Sequence, residues 1–488
     1  MLFLVVGAIF SYFLYSESGH ARISTLLSQK LSHELGRDIR LHVQEISLSP
    51  AHLDSTIMIE DKLQVKLEGF RSLLGAYDIH YELIGDEIDI KGTLQGEKDE
   101  FLVKGAGVLM QGSVVFSLRP KEKEIHDIFI DAKGVDSAKL VRFLEQKPLF
   151  AGTFSLLGKL PRYSAYMTQG DVKLSFDRGG VYLKNIEERF GVKLPSDFMA
   201  SAQVHMVFAK NAHTFDGQMQ STLANVTLSE GKFVEVSKQL NVRYIVDIPQ
   251  LEKLSFVTRK IYSGAFLAKG EVEYIDGALR FDGKSHSLDG ALTYYFEKGN
   301  LQAKLREASL AKVFNMLHYP AIMIGQVRSD ISYDSLDKVA LINMESNNAS
   351  FANSSVVQKI QRASGVDLSA EVFERTYFSA SVQESVVSYD FKAQNKKGYL
   401  SLSDAKMDAK QNTIASHFDI QMQNEELSGE IYGSLKSPKV KLDIAKFIEY
   451  KAKKEIDDFF GIGTSEQVKE KLDGLDANKV KGFLKSFF

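Results

Sequence analysis

The 488-residue chain contains no cysteine. Disulfide staples, thiolate metal sites and cysteine nucleophiles are therefore excluded. Tryptophan is also absent, while Phe numbers 32 and Tyr 19. Rings without tryptophan suit β-strands better than a signalling interface. Proline is held to 8 residues, and the formal net charge is only −3. No Lys/Arg-rich run with interleaved aromatics occurs, so nucleic acid is not an expected partner. Catalytic signatures are missing too. There is no Gly-x-Ser-x-Gly elbow, no phosphate loop and no HExxH. Gly105-Ala106-Gly107 opens no long helix, so it is not a dinucleotide fingerprint. The 11 histidines are scattered. His205 and His213 read as wet-face residues near strand ends, and Glu187 and Glu188 beside Arg189 as a solvated helix face. The expectation is a protein without enzymatic activity, metal or cofactor.

What the chain does have is repetition. VDSAKLVRFLEQKPLFAGTFSLLGKL (135–160) returns as DIPQLEKLSFVTRKIYSGAFLAKGEV (247–272) and as ASLAKVFNMLHYPAIMIGQVRSDISY (308–333). Each reads as a short amphipathic helix, a hinge and a strand. In the first, Leu140, Phe143 and Leu144 share one helix face. Farther on, IEERFGVKL (186–194) matches IQRASGVDL (360–368), so 135–210 and 308–383 look like two copies of a longer block. Fixed-period similarity implies units stacked along one axis, each covering its neighbour's apolar face. Tandem duplication of a compact domain is the other reading.

Met1 to Tyr15 carries no charge. Fifteen helical residues reach about 22 Å, short of the ~30 Å hydrocarbon core. The segment reads as an uncleaved transmembrane anchor, with a signal peptide as the runner-up. Residues 16–36 follow as a juxtamembrane helix with Ile23, Leu26, Leu27, Leu31 and Leu35 at helical spacing. From 37 to 443 the pattern is strand after strand. Val172, Leu174 and Phe176 alternate with polar residues, as do Phe266, Ala268, Val272 and Tyr274, and Phe418, Ile420 and Met422. Each such strand has one greasy face and one wet face. Asp216-Gly217, Asp276-Gly277, Asp282-Gly283 and Asp289-Gly290 read as hairpin turns. At about 12 residues per strand and turn, with about 100 residues set aside for helices, the body holds ~25 strands. Residues 444–488 read as C-terminal helices. In the last, Val480, Phe483, Leu484 and Phe487 form an apolar stripe, which either meets a membrane surface or docks on the body.

The order of these elements carries a resemblance. An apolar start, a helix running into LSHELGRDIRLHVQEISLSP (31–50), repeated helix–hinge–strand units and a late GSLKSPKVKLD (433–443) resemble the AsmA-like proteins of the diderm bacterial envelope, relatives of the bridge-like lipid transfer proteins. The resemblance implies a mainly β fold: a long antiparallel sheet curled into a trough, with a single-pass inner-membrane anchor and a periplasmic body. It also implies phospholipid acyl chains carried on the apolar inner face, in support of lipid transport and outer-membrane biogenesis. The residues expected to line that groove are the three strand sets above. One stack of ~25 strands at about 4.8 Å each reaches ~120 Å. That falls short of crossing the envelope, so other envelope proteins or a second copy are expected partners. An envelope assembly scaffold built of closed β-sandwiches, with no groove, is the alternative.

Overall fold

The computed structural model describes residues 17–443, except 36–39, 49–51, 72–75, 98–99, 122–123, 165–166, 320, 355–356, 359–360, 363–366, 423–424 and 436. The Met1–Tyr15 anchor and the stripe of Val480, Phe483, Leu484 and Phe487 lie outside the described residues. Among the described residues no helix is long and apolar enough to cross a membrane. The chain divides into two compact units at Phe281/Asp282. The fold is mainly β, with 28 strands among the described residues against the ~25 expected.

The first unit opens with α1 (Glu17–Leu35), β1 (Leu41–Leu48), β2 (His52–Ile59), β3 (Leu63–Arg71) and β4 (Ala76–Gly85). β5 (Ile88–Glu97), β6 (Glu100–Leu109), β7 (Gly112–Lys121) and β8 (Glu124–Asp136) follow. α2 (Ser137–Phe143) leads through β9 (Phe150–Ala151) to β10 (Thr153–Ser164) and β11 (Met167–Val181). α3 (Leu183–Phe190) precedes β12 (Met199–Phe208), β13 (His213–Ser221), β14 (Asn225–Val234) and β15 (Gln239–Ile248). A 3-10 turn (Leu251–Leu254) and α4 (Ser255–Thr258) lead into β16 (Phe266–Ile275), and β17 (Ala278–Ser285) carries the division. The second unit holds β18 (Ala291–Glu297), β19 (Asn300–Ser309), α5 (Leu310–Met316), β20 (Met323–Asp334) and β21 (Val339–Phe351). It continues with β22 (Val372–Phe373), β23 (Arg375–Gln383), β24 (Val386–Asn395), β25 (Gly398–Asp408), β26 (Thr413–Met422), β27 (Glu425–Ser434) and β28 (Ser437–Leu442).

The strands pair as antiparallel meanders. In the first unit, among the described residues, β1 pairs only with β2, so the sheet is open there at that edge. An open edge exposes a row of unpaired backbone groups. Here α1 covers it, and it does so with serines. Ser24 Oγ accepts from the Val43 amide and Ser28 Oγ from the Leu41 amide, both at 2.8 Å. The described leucines of this helix stay outside that contact. Leu26 is 66% exposed and Leu27 38%. The edge presents N–H donors, and these select the polar face of the helix.

Direction alternates strictly along a meander, so β8, β11 and β15 all end at one rim of the first unit. α2, α3 and the turn before α4 therefore sit on that rim, while plain hairpins form the other. In the second unit β19 and β21 likewise end at one rim, and α5 follows β19. The repeated sequence thus encodes a helix inserted into a hairpin, since β8 pairs with β10, β15 with β16 and β19 with β20. Caps set the helix lengths. Asp136 Oδ1 accepts from the Lys139 amide at 2.9 Å and starts α2, and Ser309 Oγ accepts from the Lys312 amide and starts α5. The middle copy has no side-chain cap and forms only its 3-10 turn and the four-residue α4.

Two of the four Asp-Gly pairs are not turns. Asp276 and Gly277 have φ of 51° and 80° and join β16 to β17, and Asp289, with φ of 57°, lies between β17 and β18. Asp216-Gly217 and Asp282-Gly283 lie inside β13 and β17. Gly217 faces Val204 on one side and Leu228 on the other, at a β-bulge. The dipeptide lies within a strand there and reverses nothing.

Candidate apolar binding face

Strand register decides which side chains share a face, and in the first unit it collects the apolar ones. One rung runs Val43, Ile57, Val65, Leu83, Ile90, Gly107, Val114, Ala132 and Leu156. It continues through Leu174, Val204, Gly217, Leu228, Tyr244 and Gly270. No charged side chain interrupts it. The opposite face is ion-paired and more polar, although Val108, Val115, Leu157, Val207, Ile245 and Leu267 stand exposed on it. Lys91 Nζ meets Glu82 Oε1 at 2.8 Å, and His205 Nε2 meets Asp171 Oδ2 at 2.6 Å. The Lys91 ammonium holds the Glu82 carboxyl below the ordinary carboxylate range, as Arg162 does for Glu124.

The face is not uniformly covered. Over β4 to β10 a closed core forms from Tyr81, Ile88, Ile90, Met110, Val114, Ala132 and Val135, with Leu140 and Phe143 of α2 packed against it. Leu144, the third residue of that helix face, is 51% exposed. The Tyr81 ring lies against Gly92 and Gly105, which stand opposite each other. A Cβ at either would come within about 2.5 Å of that ring. Tyr81 Oη donates to the Lys104 carbonyl at 2.8 Å, and burial raises its pKa above the ordinary 10.0.

From β10 to β16 the cover ends. Leu174 and Met219 are each 38% exposed and Tyr274 is 40%. Val172, Phe176, Val204, Met206, Phe215, Val226, Leu228, Val246 and Val272 are all half-buried, while Val242, Ala268 and the glycines Gly158, Gly217 and Gly231 are buried. This stretch ends at the uncapped crossover, which buries none of its own residues. Six strand spacings of about 4.8 Å by about seven residues of about 3.3 Å give a patch roughly 29 Å by 23 Å. That is on the order of 650 Å², at or above the largest apolar patch of an ordinary monomer.

The expected lining residues divide between two settings. Val172, Leu174 and Phe176 of β11 share this face with Phe266, Ala268, Val272 and Tyr274 of β16, linked by rungs such as Phe176, Ala202, Met219, Val226, Val246 and Ala268. Phe418, Ile420 and Met422 belong to the second unit and are at most 2% exposed. Val357, Leu368, Phe373, Ala393, Leu400 and Leu427 fill the space around them. They form a packed core, not an accessible wall, because the chain between β21 and β23 supplies residues that cover this end of the face. A second core in that unit gathers Leu305, Leu310, Met323 and Val327 beneath Val313 and Phe314 of α5.

Strands β12 to β15 supply much of the open face, and their signal was legible: Ala202, Val204, Met206 and Phe208 alternate with polar or smaller neighbours. Reading Asp216-Gly217 as a turn hid the part played by Phe215 and Met219. His213 also differs from expectation. It shares the parity of Phe215 and lies on the apolar face. Its ring meets Phe208 edge-on at 5.3 Å and stacks on Phe233 at 6.2 Å, with Nε2 3.7 Å from Glu235 Oε2. Among the described residues no group of three or more His, Asp or Glu gathers to hold a metal ion.

Compared with known proteins, the chain matches no family model and no curated protein.

Proposed function

We propose that this chain is a membrane-anchored protein of a diderm bacterial envelope that binds phospholipid acyl chains along the apolar face of its periplasmic β body. It would support lipid transport and outer-membrane biogenesis without chemistry of its own. The observation that supports this reading is the stretch from β10 to β16, where the apolar rungs run on but their cover stops. A large, continuous apolar patch without cover asks for an apolar ligand. Each methylene laid on it contributes about 0.8 kcal/mol, so an acyl chain is held without any specific polar contact. Every site along the rungs is chemically alike, so movement meets no deep trap. The curl of the sheet into a trough, the inner-membrane anchor and partner proteins belong to this proposal.

The scaffold reading draws on the second unit, whose cores are filled by the chain's own residues. The two readings part on cargo. Native mass spectrometry of the full chain, extracted in mild detergent, is expected to show bound phospholipid. Leu174→Asp is expected to remove it while the circular dichroism spectrum stays that of a folded protein. A bare polypeptide mass for the unaltered chain would leave the scaffold.

A further inference from the structure

α1 is attached to the body by the wrong side for a helix seeking a core. Ser24 and Ser28 bind the edge of β1, and Ile23, Leu26 and Leu27, spaced i, i+3, i+4, are turned elsewhere. Leu26 is 66% exposed, Leu27 38%, and Ile23 half-buried. A helix whose serine side is engaged and whose Leu26 and Leu27 are left exposed calls for an apolar surface beyond the protein. The sequence says which. α1 begins at Glu17, directly after the uncharged segment Met1–Tyr15.

We propose that the Ile23, Leu26 and Leu27 side of α1 rests in the interfacial layer of a lipid bilayer, so that the helix joins the membrane surface to the first strand of the sheet. Exposed Arg22, beside the stripe, suits the headgroup level. The serine contacts then have a mechanical meaning. A helix lying on the bilayer holds β1 by two backbone amides, which places the start of the apolar face at the membrane. The proposal rests on the anchoring part of the reading above and not on what the open face binds.

The absence of tryptophan makes the test specific. In the full chain, Leu26→Trp introduces a single reporter at an exposed position. Val236→Trp, 92% exposed in the hairpin between β14 and β15, introduces a reference. Each is mixed with phosphatidylethanolamine/phosphatidylglycerol vesicles, with and without bromine on the upper acyl carbons. The chain is expected to co-float with the vesicles. The reporter at 26 is expected to shift to shorter wavelength and lose emission to bromine, and that at 236 to do neither. A chain that co-floats with an unquenched reporter at 26 overturns this inference and leaves the anchor. A shift that follows protein concentration and ignores bromine assigns the stripe to a second copy and overturns it too. A chain that does not co-float refutes both.

Discussion

Truncating Phe418 and Leu174 to alanine sets a filled core against an open face. Phe418 is 2% exposed, lies opposite Leu402 and Gly429, and its ring sits over Gly429, where a Cβ would come within 2.9 Å. Removing the ring leaves a cavity that neighbours on several sides cannot close, which costs about 3–5 kcal/mol. Leu174 is 38% exposed. Three carbons at about 0.8 kcal/mol each, scaled by the roughly six-tenths that is buried, give about 1.5 kcal/mol, and no sealed cavity forms. Urea unfolding followed by far-ultraviolet circular dichroism reads both losses as midpoint shifts. Lipid carried per folded molecule, read by native mass spectrometry, should move the other way: lower for Leu174→Ala, unchanged for Phe418→Ala. Equal stability losses would mean that the face at β11 is as closed as the core at β26. Loss of lipid on truncating Phe418, with stability kept, would mean that the core itself holds cargo. Either result refutes the division of the face into filled and open parts.

Two further outcomes follow from local geometry. The phenol of Tyr81 is more easily kept neutral in the folded chain than in the unfolded one, so its contribution is full below pH 10.0 and is lost as pH rises through the raised folded value. Tyr81→Phe should cost about 1 kcal/mol at neutral pH and flatten the fall in the urea midpoint above pH ~10; an unchanged alkaline slope would put the effect elsewhere. Changing Ser24 and Ser28 together to alanine leaves the Leu41 amide and the buried Val43 amide without their acceptors, a loss of about 1–3 kcal/mol. Hydrogen exchange at those two amides should quicken while the β6 and β7 amides keep their protection, and unchanged rates would show that α1 does not guard the edge.

Much of this protein follows from a period of two. Alternation in β11, β16 and β26 marks strands with one apolar face whatever their neighbours, because successive side chains must point to opposite sides. The helix-in-hairpin unit was legible for a similar reason: Asp136 and Ser309 are caps that act within three residues, and no distant contact alters them. Register and cover were not legible. Whether Leu174 meets Val204 or a charge depends on bulges and hairpin lengths in several strands at once. Asp216-Gly217 shows that the same dipeptide serves as a turn or lies within a strand at a bulge. His213 went to the apolar side by the same parity. Phe418 and Leu174 look alike in sequence, yet only the folding of the segment between β21 and β23 over one of them made a core there. α1 is the sharpest case. Its leucine stripe is plain in the chain, but the edge it meets offers N–H donors, so Ser24 and Ser28 make the contact, and that edge exists only once β1 has formed.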